Sequence, residues 1–128
     1  MILTDASVLI DYQRAKDAKL IALVNSLPVG VCGTTRSEVV AGGRTPVERF
    51  DAVQLLNTLL AVATPEPVWD RVGDHLAILR AVGLRLPYPD VVLATLGVEL
   101  QFEVWARDQH FPLMAPHLPG LRLFVEPP

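Results

Sequence analysis

A chain of 128 residues with 51% hydrophobic and 20% charged side chains suits one domain that buries roughly two-thirds of its unfolded surface without disulfides or metal. Its net charge of −3 excludes a broad basic face for nucleic acid, and its single cysteine, Cys32, excludes an intrachain disulfide. No charged segment precedes an apolar one at the N-terminus and no run approaches the length of a membrane span, which predicts a soluble, non-exported, cytoplasmic chain with no membrane partner.

Ile2-Leu3-Thr4 reads as a buried strand, and Asp5 falls where it stops, before a short helix from Ala6 to Tyr12. Aspartate is a favoured N-cap, so Asp5 taken alone is either a cap that does no chemistry or a site residue. Residues 17–26 carry a helical stripe closed by Pro28. Val29 to Gly33 reads as a second strand. Thr34 and Thr35 are candidate caps for a helix over 36–41, which the Gly42-Gly43 pair ends. Thr45-Pro46 opens the next helix, striped by Val47, Phe50, Val53, Leu56 and Leu60, and a short strand follows over 60–63.

Pro65 and Pro67 lead into a helix striped by Val68, Val72, Leu76, Leu79 and Val82, with Gly83 as its C-terminal cap. After the stiff turn Leu86-Pro87-Tyr88-Pro89, Asp90 starts a helix over 91–100 that is apolar nearly all round and therefore buried on most sides. Glu103 to Ala106 reads as a strand, followed by a proline-punctuated loop with little helix and a last strand over 122–125. Strands alternating with helices predict βαβ units and a parallel sheet covered on both faces.

Four acids from remote parts of the chain occupy equivalent places. Asp5 ends the first strand, Glu38 lies in the helix after the second, Asp90 begins the buried helix, and Asp108 follows the strand ending at Ala106. Sites of open α/β sheets form beyond the carboxyl ends of the strands, so the four carboxylates converge on one edge. Their repulsion is relieved by protonation, by basic partners or by a bound cation. Oxygen ligands suit a hard ion such as Mg2+. His75, His110 and His117 have no second His or Cys at ligand spacing and read as ordinary surface or core residues, so no zinc site is expected.

The stretches LTDASVLIDY, TRSEVVAGG, PYPDVVLATLG and ARDQHF, in this order and over essentially the whole chain, resemble the PIN-domain ribonucleases, and specifically the VapC toxins of type II toxin–antitoxin pairs. The resemblance implies a single three-layer α/β/α PIN-like domain over 1–128 with a central, mostly parallel sheet. It implies a toxin that is a divalent-metal-dependent endoribonuclease with Mg2+ or Mn2+ as cofactor and RNA as substrate. It also implies a cognate VapB-type antitoxin whose tail covers the acidic groove through a basic residue, and a homodimer with residues 45–61 and 67–82 as candidate faces. The family's acidic quartet falls on Asp5, Glu38, Asp90 and Asp108, with Asp5 and Asp90 the firmest metal ligands and Ser7 the small polar residue that supports the first acid. Two positions depart from the pattern: Ala6 stands where Thr is common, and Ala106 where Thr or Ser often precedes the last acid by two. Loss of a supporting hydroxyl weakens metal affinity.

A metal ion held by these carboxylates lowers the pKa of a bound water and offsets charge on a phosphodiester, so no nucleophilic side chain is needed. Arg14, Arg36, Arg44 and Arg107 lie near the acid motifs and are candidate phosphate contacts, each weighed against a solvated surface charge. Two other readings stand beside this one. A haloacid-dehalogenase-like phosphatase also opens with an aspartate after its first strand, but needs a second two residues on, where Ser7 stands. A catalytically inactive PIN-fold interaction module is the other, and the presence of all four acids argues against it.

Overall fold

Short strands and capped helices alternate along the computed structural model, which describes residues 1–128. In chain order they are β1 (Ile2–Thr4), α1 (Ala6–Arg14), α2 (Ala18–Ser26), β2 (Val29–Val31), α3 (Gly33–Ala41), α4 (Pro46–Asn57), β3 (Leu60–Ala61), α5 (Val68–Ala81), α6 (Tyr88–Leu100), β4 (Glu103–Trp105) and α7 (His110–Met114). The sheet has the order β3-β2-β1-β4, and every pair is parallel. Ile2 stands opposite Val29 on one side and Glu103 on the other.

A parallel sheet is buried on both faces, and the alternation of side chains along its strands splits the core in two. Leu3 and Val104 join a cluster with Val72 and Leu79 of α5, Leu93 and Leu96 of α6, and Phe111 of α7. Ile2, Val29, Val31 and Trp105 join the other cluster with Leu9 of α1, Leu20 of α2, Val39 of α3 and Leu56 of α4. The result is the expected α/β/α sandwich. As its composition predicts, α6 is buried without a break from Asp90 to Gly97. It packs so closely on β4 that a Cβ built on Gly97 meets Val104 Cγ2 at 2.5 Å.

Local signals set most of the helix ends. Asp17 caps α2 by accepting from the backbone of Lys19 at 2.9 Å, and Thr45 caps α4, with Pro46 in the first turn, by accepting from Glu48 at 3.1 Å. Gly83, at φ +80°, turns the chain out of α5 while its N–H donates to Arg80 and that of Leu84 donates to Leu79.

Four expectations are corrected. Helix α3 starts at Gly33 with Cys32 as its N-cap residue, so Thr34 and Thr35 lie in the first turn, where their hydroxyls approach the Cys32 sulfur instead of capping. Helix α6 starts at Tyr88, making Asp90 its third residue. The predicted stripe of α4 is turned outward at its start: Val47 and Phe50 are 69% and 63% exposed, and Ala52 and Leu56 are the buried pair. The last strand is reduced to a single parallel bridge between Val104 and Leu123, and a short helix, α7, forms in the preceding loop.

Candidate active site

The β1–β4 ladder extends one residue past β1, because the Asp5 amide donates to the Trp105 carbonyl at 2.8 Å. This places Asp5 at the carboxyl end of the central strand, beside the segment that leads from β4 to Asp108. Asp5 is also the N-cap of α1: its Oδ2 accepts from the Ser7 amide at 3.1 Å and from the Ser7 hydroxyl at 2.6 Å. The cap and site readings of Asp5 are compatible, since capping occupies one carboxylate oxygen. The Ser7 hydroxyl in turn accepts from the Arg107 amide at 2.9 Å, so it joins α1 to the strand end that carries Asp108.

Asp90 is buried in the first turn of α6, where the helix dipole favours a carboxylate. Asp108 follows β4 and accepts at Oδ1 from the His110 amide at 2.9 Å, and Glu38 is half-buried on α3. Charge couples all four acids. Burial pushes the Asp90 carboxyl up to about 6, with the charges of Asp5 and Asp108 adding to the shift and a hydrogen bond from His110 opposing it. Burial likewise raises Glu38 to about 6, helped by the charges of Asp5, Asp90 and Asp108. Asp5 is raised as well, by burial first and by Asp108 beside it, against the lowering effect of its bonds to Ser7. No lysine or arginine pairs with any of the four. Crowded, part-buried carboxylates without a basic partner suit a hard divalent cation, which needs oxygen ligands and supplies the missing positive charge.

His110, expected from the sequence to be an ordinary surface or core histidine, is instead at this site. His110 Nδ1 stands 2.7 Å from Asp90 Oδ2 and 3.8 Å from Asp108 Oδ1. The signal available was the Asp108-Gln109-His110 spacing; the contact with Asp90 joins residues twenty apart. His75, in contrast, is the core histidine expected, buried with Nδ1 2.8 Å from the Thr95 hydroxyl.

The arginines separate into two kinds. Arg14 donates to the Gly42 carbonyl at 3.3 Å, Arg36 to Asn57 Oδ1 at 2.8 Å, and Arg44 is exposed. Arg107 departs from the expected phosphate contact because its guanidinium is already matched: Nη2 lies 2.7 Å and Nε 2.8 Å from the two oxygens of Glu126, and Nη1 lies 3.2 Å from Asp11. Of the two departures from the motif, Ala6 is buried and Ala106 half-buried. A surface groove of about 570 Å3 lies between α1, α2, α3 and α4, and none of the four acids lines it.

No protein-family model and no curated protein sequence matches the chain. Solved structures do. The VapBC2 complex of Rickettsia felis bound to a promoter DNA fragment aligns with a TM-score of 0.79 at 13% identity, covering 97% of this chain and 98% of that one. FitAcB from Neisseria gonorrhoeae aligns at 0.76 and 19%, covering 98% of both chains. The Mycobacterium tuberculosis VapC toxin that cleaves the sarcin–ricin loop aligns at 0.72 and 15%, covering 95% and 99%. The fold is that of the VapC-type PIN toxins over nearly the whole chain.

Proposed function

We propose that this chain is the toxin of a toxin–antitoxin pair and acts as a divalent-metal-dependent endoribonuclease. The observation that carries the reading is the convergence of Asp5, Glu38, Asp90 and Asp108, with no lysine or arginine partner, at the carboxyl edge of a parallel sheet. Fold alone does not give function, but this fold is shared with a toxin that cleaves the sarcin–ricin loop, and the acids supply a site for that chemistry.

Asp5 and Asp90 would hold the ion most directly, and Glu38 and Asp108 would complete the site directly or through water. A bound Mg2+ or Mn2+ supplies a water of lowered pKa and offsets charge on the phosphodiester. Ser7 keeps Oδ2 of Asp5 hydrogen-bonded and leaves Oδ1 for the ion. Arg14, Arg36 and Arg44 are the guanidinium groups available to grip RNA phosphates. Ser7, two residues after Asp5, also weighs against the phosphatase reading, because its hydroxyl serves Asp5 and it has no proton-relay carboxylate to offer.

A toxic nuclease requires restraint, and the partner we assign is a VapB-type antitoxin covering the acids, as the related complexes pair toxin with antitoxin. Exposed Val47 and Phe50 on α4, Ile78 on α5 and Val82 just past its end offer apolar surface for a homodimer. No helix is long and apolar enough to cross a membrane.

The test is cleavage of a structured RNA by the purified chain. Cleavage is expected with Mg2+ or Mn2+ and is abolished by excess EDTA and by Asp5→Asn or Asp90→Asn. Undiminished cleavage in EDTA would refute the reading.

A further inference from the structure

His110 opens α7 with its ring turned toward the acids. One ligand atom from each of Asp90, Asp108 and His110 lies within 4.8 Å of the others. Adjacent ligands of an ion with bonds of about 2.1 Å stand about 3 Å apart, and the separations of Nδ1 from Asp90 Oδ2 and Asp108 Oδ1, 2.7 and 3.8 Å, bracket that edge. The backbone holds the pair in place, since the His110 amide donates to Asp108 Oδ1. No protein group takes the second ring nitrogen, Nε2, so it is free to carry the ring proton when Nδ1 offers its lone pair.

We propose that His110 is a direct ligand, through Nδ1, of the divalent ion held by Asp90 and Asp108, and that this nitrogen makes the site prefer Mn2+ to Mg2+. The inference rests on the metal-dependent reading above. In the metal-free chain, a hydrogen bond between Nδ1 and Asp90 lies where an ion would draw the two groups together. Binding the ion would displace any proton on Nδ1, which passes to Nε2 through solvent if that nitrogen is bare, or is released to solvent if Nε2 already carries one. Mg2+ favours oxygen ligands and gives up its waters reluctantly, whereas imidazole is a good ligand for later divalent metals, and affinity for a mixed nitrogen and oxygen site rises from Mn2+ onward in the first row. A nitrogen in the first coordination sphere therefore separates the two ions that four carboxylates alone would treat more evenly.

The experiment is electron spin-echo envelope modulation of substoichiometric Mn2+ bound to the purified, antitoxin-free chain, with titration calorimetry of Mn2+ and Mg2+ alongside. The expected spectrum carries imidazole 14N modulation in the wild type and in His117→Gln, and loses it in His110→Gln. His75 is buried against Thr95, so a signal that survives in His117→Gln has His110 as its source even if His110→Gln does not fold. Mn2+ affinity is expected to fall about tenfold or more in His110→Gln while Mg2+ affinity changes less. Bound Mn2+ without 14N modulation, or modulation undiminished in a folded His110→Gln, overturns the assignment and leaves the nuclease reading standing. A wild-type chain that binds Mg2+ but no Mn2+ overturns the assignment alone, and one that binds neither overturns both.

Discussion

The Ser7 hydroxyl lies 2.6 Å from Asp5 Oδ2 and accepts the Arg107 amide at 2.9 Å, so one small side chain both holds the first acid and anchors the strand end that leads to the last. Removing it frees the Asp5 carboxylate and leaves the Arg107 amide without its partner. Ser7→Ala is expected to weaken metal affinity or cleavage by about 10- to 100-fold, the usual range for groups that orient metal ligands. The stability cost is about 1 kcal/mol, read from urea melts. An unchanged metal titration would show that Asp5 needs no such support.

The acids also predict how stability varies with pH. Asp90 and Glu38, at about 6 in the folded chain, lie above the ordinary carboxylate range, and Asp5 is raised in the same direction. Carboxyls raised on folding contribute their full stability below the unfolded values near 4 and lose it as pH rises through about 6. The metal-free chain is therefore strained by these groups at pH 7 and relieved near pH 5. His75 acts oppositely: burial lowers its pKa, so its contribution is lost as pH falls below about 6.5. Comparing wild type with Asp90→Asn cancels His75, which both share. Without metal, Asp90→Asn is expected to be as stable as wild type or more so at pH 7, with the difference fading by pH 5. At about 100 times its dissociation constant, Mn2+ should stabilise wild type by roughly 2.7 kcal/mol and Asp90→Asn by clearly less at the same concentration. Thermal melts in EDTA and in Mn2+ read both effects.

Glu126 binds Arg107 through both oxygens and also accepts from the Trp105 indole at 3.0 Å, and the guanidinium holds its pKa below the usual carboxylate range. Trp105 is fully buried, so removing its acceptor leaves a buried donor unpaired. Glu126→Ala is expected to cost about 1–3 kcal/mol, and Glu126→Gln less, because an amide oxygen still accepts. Chemical denaturation of the two variants distinguishes hydrogen bonding from simple charge loss. Equal costs would assign the effect to charge.

At Gly97 α6 sits tightly against β4: a Cβ at this residue would stand 2.5 Å from Val104 Cγ2 and 3.3 Å from the Phe102 carbonyl. Gly97→Ala must push the helix off the strand, at a cost of about 1–3 kcal/mol for overpacking. Because α6 carries Asp90 and β4 leads to Asp108, the same displacement separates two acids of the site. Metal affinity is expected to fall although residue 97 touches no acid, and calorimetric titration of the folded variant with Mn2+ tests this.

Much of the fold was legible because each signal was local. Asp5, Asp90 and Asp108 stand next to strand ends or helix starts that short apolar runs and prolines reveal, whereas Glu38 lies further along α3. What escaped depended on distant partners. His110 joins Asp90 across twenty residues and Arg107 joins Glu126 across nineteen, contacts made by the packing of separate elements. The face of α4 escaped for another reason: burial favoured Ala52, whose small side chain carries little weight in an apolar stripe, over Phe50.

The strand order has a consequence for when the acids can meet. Strand β1 is central, and residues 2–4 wait for residues 103–105 before both of its edges are paired. At translation rates of 5–20 residues per second, that separation of about a hundred residues is roughly 5–20 s of synthesis. A nascent chain released before Glu103 has at most three of the four carboxylates and lacks the strand whose Trp105 carbonyl takes the Asp5 amide. Premature termination therefore yields a fragment without the site, and the cell is exposed to the finished cluster only from chains that have passed this point.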